Sequence, residues 1–298
     1  MNETLTPFRA GTVALIGKPN VGKSTLLNTI VGQKVSIVSN KPQTTRRRVL
    51  GIATTDHYQI AFTDTPGIHE PHTQLARGMV DQARAALSDV DLVLYVADGS
   101  HHPGETDRQI AQLLKGTETV ILCLNKMDLL KVDDVQRNVS AYQALLGTEE
   151  FMLTTATRGH NVDKLVELIL THLPERGPIY DGEEFTDQSS RYMAAEFVRE
   201  KILTASRQEI PHATAVMVEE WDEQPLLIRI EATILVEKSS QRAILIGKQG
   251  QFLKDIGTKA RVEIEELLGS KVYLQLHVKV SEDWRMNPRV LHELEYSD

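Results

Sequence analysis

Residues 17–24 read Gly-Lys-Pro-Asn-Val-Gly-Lys-Ser, a loop bracketed by glycines and closed by a lysine and a hydroxyl. This spacing, G-x-x-x-x-G-K-[ST], fits a grip on a phosphate chain. Gly17 and Gly22 let the backbone curl around Lys18, Pro19, Asn20 and Val21 until its N–H groups point inward. A helix starting just after the loop adds the positive end of its dipole. Lys23 is placed to reach the β- and γ-phosphates and Ser24 to hold Mg²⁺. Thr25 completes the set expected against the nucleotide.

Two further clusters narrow the ligand. Asn125-Lys126-Met127-Asp128 closes an apolar run. A carboxylate there accepts two hydrogen bonds, from guanine N1–H and from the 2-amino group. Adenine offers no such pair, and leaving the carboxylate unpaired costs about 1–3 kcal/mol. GTP is therefore the expected triphosphate. Asp64-Thr65-Pro66-Gly67 closes another apolar run. Asp64 is expected to bind Mg²⁺ through water and Gly67 to offer its N–H to the γ-phosphate, although Pro-Gly also makes a turn by itself.

The elements that must hold these residues follow from periodicity. Thr12–Gly17, Tyr58–Asp64, Asp91–Ala97, Thr119–Asn125 and Phe151–Thr155 are short, nearly continuous apolar runs, as strands covered on both faces require. Helical patterns lie between them, near Lys23–Val31, Thr73–Ser88, Glu105–Lys115, Asp133–Leu146 and Asn161–His172. This alternation predicts an α/β domain over residues 1–176, a mostly parallel sheet wrapped by helices. Leu173–Asp187 has clustered Pro and Gly and no period, so a linker is expected over 177–189. Residues 190–298 then read α-β-β-α-α-β. The helices are expected at Ser190–Ser206, Ser239–Ile246 and Gln251–Leu268. The strands are expected at Thr214–Trp221, Leu226–Val236 and Lys271–Val280, with a turn at Asp222–Pro225.

The order of the first-domain motifs resembles the translation-factor-related class of GTPases. By that resemblance Thr154-Thr155-Ala156 is a fifth motif. Thr155 stands in place of the usual Ser, and Ala156 gives its N–H to the guanine carbonyl. Gln43-Thr44-Thr45-Arg46 falls where the first switch belongs, within a polar, basic loop at Ser39–Arg48. A threonine there closes on Mg²⁺, and either Thr44 or Thr45 could do so. Many GTPases carry a water-orienting glutamine just after Asp-x-x-Gly; this chain has Ile68, which cannot polarise water. That resembles the subclass with a hydrophobic residue at this point, in which the asparagine matching Asn20 helps to bind K⁺. The resemblance thus implies Mg²⁺ and K⁺ as cofactors and Asn20, Lys23, Thr44, Thr45 and Gly67 as the catalytic set. Slow intrinsic turnover is expected, roughly 10⁻⁴–10⁻³ per second.

Ile246-Gly247-Lys248-Gln249-Gly250 lies between two helical patterns. In an α-β-β-α-α-β order it resembles the bacterial-type (type II) KH fold, whose loop clamps about four nucleotides of a single strand. Residues 238–261 carry Lys238, Arg242, Lys248, Lys254, Lys259 and Arg261 against Asp255 alone. Lys238, Arg242, Ile246–Gly250 and Lys254 are the expected RNA contacts. The whole chain resembles the bacterial ribosome-assembly GTPases that carry one C-terminal KH domain. That resemblance implies binding of GTP and GDP and of the single-stranded 3′ end of small-subunit ribosomal RNA during 30S assembly, by a monomer. It also implies peripheral association with the inner face of the cell membrane, although no amphipathic anchor is visible.

Composition sets the remaining bounds. Residues 179–298 hold 15 Lys+Arg against 22 Asp+Glu, so any RNA contact must come from a local basic patch. The acidic balance is what a protein-docking signalling GTPase would also show; the basic clamp favours RNA. An ATP-dependent kinase is disfavoured by Asn125–Asp128. No run approaches the ~20 apolar residues of a membrane span, and Met1–Ala10 lacks a signal-peptide pattern. The one cysteine, Cys123, sits in an apolar run and forms no internal disulfide, so a reducing cytoplasm is expected.

Overall fold

The computed structural model describes residues 7–68, 74–88, 90–206 and 210–296. Some expectations therefore lie partly outside the described residues: the first six positions of the N-terminal segment, the Thr73 start of a helix, and residues 207–209 and 297–298 of the second domain. The chain divides into two compact units. The first runs to Asp187, apart from Ile37–Thr44 and the stretch ending at Gly78, which group with the second; the second is otherwise Gln188 onward.

The first unit runs β1 (Arg9–Ile16), α1 (Lys23–Val31), β2 (Val49–Thr54), β3 (Tyr58–Asp64), α2 (Gln74–Ala85), β4 (Leu92–Asp98), α3 (Glu105–Leu113), β5 (Val120–Asn125), α4 (Val135–Leu146), β6 (Phe151–Leu153) and α5 (Val162–His172). The strands lie in the order β2-β3-β1-β4-β5-β6. All neighbours are parallel except β2 against β3. Side chains alternate across a strand, so β1 feeds two cores. Val13 and Leu15 join Leu26, Leu27, Leu165 and Ile169 on one face. Ala14 and Ile16 join Tyr95, Ile110, Val139 and Tyr142 on the other. With helices on both faces, every inner strand had to be apolar throughout, which is why the runs were visible in the sequence.

Two features differ from expectation. Val49–Thr54 is an antiparallel strand, hidden beside three arginines and broken by Gly51, where a Cβ would lie 2.7 Å from Leu27 Cδ1. The stretch expected as a linker belongs to the first unit. Ile179 and Tyr180 donate their N–H groups to Gln59 Oε1 at 2.7 and 2.8 Å. Ile52 donates to Phe185 O at 2.9 Å, and Thr186 Oγ1 donates to Leu50 O at 2.7 Å. The segment covers the open edge of β2, as exposed edges require. Such cover needs no hydrophobic period, so it reads as a linker, and the unit ends at Asp187, not at residue 176.

The second unit contains α6 (Ser190–Ala205), β7 (Ala215–Gln224), β8 (Leu227–Val236), α7 (Ser239–Ile246), α8 (Gln251–Leu268), β9 (Val272–Val280) and α9 (Pro288–Glu293). The sheet order is β7-β8-β9, with β7/β8 antiparallel and β8/β9 parallel. Phe197, Ile202, Ile230, Ile234, Ile256 and Ile264 form its core. Ser189 caps α6 by accepting from Tyr192 N–H. The sequence reading missed α9, although Asn287-Pro288 is an N-cap and N1 pair. Among the described residues no helix is long and apolar enough to cross a membrane.

Candidate functional site

The phosphate loop joins the end of β1 to the start of α1. Asn20 (φ 62°) and Gly22 (φ 105°) adopt left-handed backbone, which turns the loop back toward the helix. A Cβ on Gly22 would lie 2.3 Å from Asn125 Nδ2, and one on Gly17 would lie 2.2 Å from Val96 O. Both glycines are therefore fixed by close approach. Lys23 is buried, and its Nζ donates to Gly17 O (3.0 Å) and Lys18 O (3.1 Å). Burial lowers its pKa to about 8, with Asp64 opposing. The Lys18 side chain turns away from the cradle and pairs with Asp107.

Asp64 is fully buried at the end of β3. Its Oδ2 accepts from Ser24 Oγ (2.6 Å) and Ser36 Oγ (3.0 Å). Thr45 also bonds the carboxylate and lies 2.9 Å from Ser24 Oγ. Asp64 Oδ1 has no hydrogen-bond partner among the described residues. Burial raises the carboxyl pKa, against Lys23 and the three hydroxyls. A buried carboxylate with a spare oxygen, ringed by hydroxyls, is a hard-oxygen donor set that fits Mg²⁺. Of the two candidate threonines, Thr45 stands at this set. Thr44 is buried elsewhere, its hydroxyl donating to Lys41 O (2.6 Å) and lying 2.7 Å from Ser39 Oγ. Arg46 is also buried, so the polar, basic segment at Ser39–Arg48 is partly interior. Ser36 had no motif to mark it.

After Asp64, Thr65 Oγ1 donates to Leu15 O (2.8 Å). Gly67 presses on the phosphate loop, where a Cβ would lie 2.5 Å from Pro19 N. Ile68 donates its N–H to Gly17 O at 3.3 Å, and its side chain joins the core beside Ile16. The aliphatic residue at the usual glutamine position is thus a core anchor.

Asn125 binds three motifs together. Its Nδ2 donates to Val21 O (2.9 Å). Its Oδ1 accepts from Ala156 N–H (2.9 Å) and Thr154 Oγ1 (3.2 Å). The Ala156 N–H expected at the guanine carbonyl is held here by Asn125, so giving it to a base means sharing it or exchanging partners. Thr155 is buried beside it. Lys126 (φ 63°) reaches Asp98 Oδ2 at 3.0 Å. Burial would raise the Asp98 pKa, but hydrogen bonds from Ser100 and Lys126 hold it below the usual carboxylate range. Arg158 Nη2 lies 3.8 Å from Asp128 Oδ2. Asp98 and Arg158 were missed, yet Asp98 ends β4 directly opposite Asn125 on β5, and that shared strand-end position was a usable signal.

In the second unit Gly247 (φ 70°), Gln249 (φ 52°) and Gly250 (φ 75°) turn the chain sharply between α7 and α8. A Cβ on Gly247 would lie 2.6 Å from Phe252 Cβ. Lys248, Gln249 and Lys254 are exposed and Ile246 is half-buried. A groove of about 450 Å³ runs between α8 and the edge strand β9. Gly250, Leu253, Lys254, Gly257, Thr258 and Arg261 form its helical wall. Of the expected RNA contacts, Gly250 and Lys254 line it; Lys238 and Arg242 are exposed but do not. Arg261 was counted in the basic patch but not among the expected contacts, and Leu253, Gly257 and Thr258 were not singled out, although with Gly250 and Lys254 they recur at helical spacing along one face.

Comparison with known proteins agrees with this geometry. A family model described as 50S ribosome-binding GTPase matches residues 12–126, and one described as KH domain matches residues 209–285. The chain is 46% identical to GTPase Era of Heliobacterium modesticaldum over 293 residues, 98% of each chain. It is 46% identical to GTPase Era of Geobacter metallireducens over 295 residues, 98% of this chain and 99% of that one. A crystal structure of Era in complex with MgGDPNP and nucleotides 1506–1542 of 16S ribosomal RNA superposes with a TM-score of 0.94 at 39% identity, covering 98% of this chain and 100% of that one. A crystal structure of a point variant of Aquifex aeolicus Era bound to GDP·AlF4⁻ gives the same values. With a phosphate loop bound to a guanine motif in one unit, a KH domain in the other, and this identity along nearly its whole length, the chain belongs to the Era family of GTPases.

Proposed function

We propose that this GTPase binds single-stranded RNA near the 3′ end of small-subunit ribosomal RNA through the Gly247–Gly250 clamp, and uses GTP to time that contact during 30S assembly. The observation that carries the reading is the clamp itself. A left-handed glycine, Gly250, at the edge of a groove lined by Lys254, Arg261 and apolar side chains would let a phosphate backbone approach while bases enter beside Leu253 and Gly257. The solved Era complex with nucleotides 1506–1542 supports the choice of RNA.

In the first unit, Gly17–Thr25, Asp64–Gly67, Asn125, Lys126, Asp128, Thr155 and Ala156 bind the nucleotide. Ser24, Thr45 and Asp64 would hold Mg²⁺, which bridges and neutralises phosphate oxygens; the MgGDPNP bound to the relative supports this. Lys23 contributes a buried ammonium that is ready to exchange two carbonyl partners for phosphate oxygens. Gly67, pressed on Pro19, places its N–H beside the far end of the phosphate chain. Asn20, at the left-handed corner, is the candidate K⁺ contact. The protein acts as a monomer in the cytoplasm, with peripheral contact at the inner membrane face.

Binding of an oligonucleotide matching the 3′ end, at several salt concentrations and with GTP or GDP, tests the proposal. Each neutralised phosphate should add about −0.7 to the log–log salt slope. Salt-independent binding, or none with either nucleotide, would favour a protein-docking role for the second unit.

A further inference from the structure

Asp107 is fully buried at the third position of α3. Its Oδ2 accepts from Gly104 N–H (2.8 Å) and from Lys18 Nζ (2.6 Å), and its Oδ1 accepts from Tyr95 OH (2.6 Å). A helix cap needs only the first of these bonds. The other two tie a core tyrosine of β4 to the second residue of the phosphate loop, Lys18, which lies 89 positions before Asp107.

Lys18 connects this buried carboxylate to the catalytic loop. Its side chain holds Asp107 while its carbonyl accepts from Lys23 Nζ. On the far side of the loop Val21 is held by Asn125. The Pro19–Asn20 corner therefore hangs between two anchors, Lys18–Asp107 upstream and Val21–Asn125 downstream. The corner packs against Gly67 without room for one added carbon, with Pro19 N at 2.5 Å and Pro19 Cα at 2.7 Å from a Cβ there. The downstream anchor belongs to the guanine motif. In the upstream one, Asp107 belongs to no nucleotide-binding motif of the sequence.

We propose that Asp107 is a positioning residue for GTP hydrolysis, acting through Lys18 to hold the Pro19–Asn20 corner against Gly67. The proposal rests on the nucleotide reading of Gly17–Ser24. Loss of this anchor affects turnover more than binding. Lys23 and Ser24 stay on α1, Val21 stays on Asn125, and Asp128 still reads the base. What moves is the corner beside the γ-phosphate end, where a displacement of about 1 Å costs on the order of 100-fold in rate.

Removing one partner of a buried pair strands the other charge, so single truncations confound stability with function. The double variant Lys18→Met/Asp107→Asn removes both charges. Its amide keeps an acceptor for Gly104 N–H and a donor for the Tyr95 oxygen. Fluorescent-GDP affinity of the wild type checks the nucleotide reading separately. The double variant is expected to melt near the wild type and bind GDP within a few-fold, with single-turnover GTP hydrolysis lowered at least about tenfold. A folded double variant that hydrolyses GTP at the wild-type rate overturns the proposal. Should it fail to fold, Lys18→Arg and Lys18→Gln replace it. Arg keeps charge and reach, and its single-turnover rate is expected to exceed that of Gln by at least about tenfold. Equal rates in those two overturn the proposal.

Discussion

The Asn125 carboxamide nitrogen donates to the Val21 carbonyl across 2.9 Å, which fastens the guanine-reading segment directly to the phosphate loop. The same side chain accepts from Ala156 N–H and Thr154 Oγ1. Asn125→Ala leaves one carbonyl, one amide and one hydroxyl without this partner. Each such orphan costs about 1–3 kcal/mol. The variant is expected to melt lower and to lose at least about tenfold in GDP affinity, the equivalent of about 1.4 kcal/mol. Titration with a fluorescent guanine nucleotide and a thermal melt check both.

In the proposed site Asp128 would read the base by accepting two hydrogen bonds. Asp128→Asn replaces one acceptor with a donor and mismatches the guanine 2-amino group, but it matches the carbonyl that xanthine carries there. GTP affinity is expected to fall by a few orders of magnitude and xanthosine triphosphate to be gained as a substrate. Unchanged GTP affinity in a competition assay would count against the guanine role.

A Cβ on Gly250 meets nothing within 4 Å, although φ is 75°. Substitution there costs about 1–2 kcal/mol of backbone strain, and aspartate tolerates that conformation better than most residues. Gly250→Asp should therefore fold. Its carboxylate would stand where a phosphate is expected, so RNA binding should be abolished with intrinsic GTP hydrolysis intact. Gel-shift and phosphate-release assays on the same preparation separate the two effects. Full RNA affinity would remove the clamp assignment.

Cys123 is fully buried on β5, and burial pushes its thiol up to about 12, against a hydrogen bond with Thr154. Only the thiolate reacts. The native protein is expected to consume no thiol reagent at about pH 8, below the ordinary thiol pKa, and the unfolded chain one equivalent, since the sequence holds one cysteine. The folded pKa lies above the unfolded value of 9.0. The group's contribution is therefore intact below pH 9 and is lost as pH rises from 9 toward 12. Fast modification of the native protein under those conditions would contradict the burial.

What the sequence determined by itself was set by near neighbours along the chain. The turns at Gly17–Ser24 and Gly247–Gly250 were legible because a chain that bends sharply or packs closely needs glycine at fixed spacing. Asn125–Asp128 and Asp64–Gly67 were legible because they sit at the ends of apolar strands. The parallel sheet was legible because strands covered on both faces are apolar throughout. The tertiary structure alone decided what depends on distant partners. It brought the hydroxyl of Thr45, and not that of the adjacent Thr44, to Ser24 and Asp64. It gave Ala156 N–H to Asn125, folded the supposed linker onto β2, and buried Asp107 against Lys18. A hydrogen bond leaves no trace in local periodicity when its partners lie tens of residues apart, because only the packing of β1, β4 and α3 brings their side chains into bonding range.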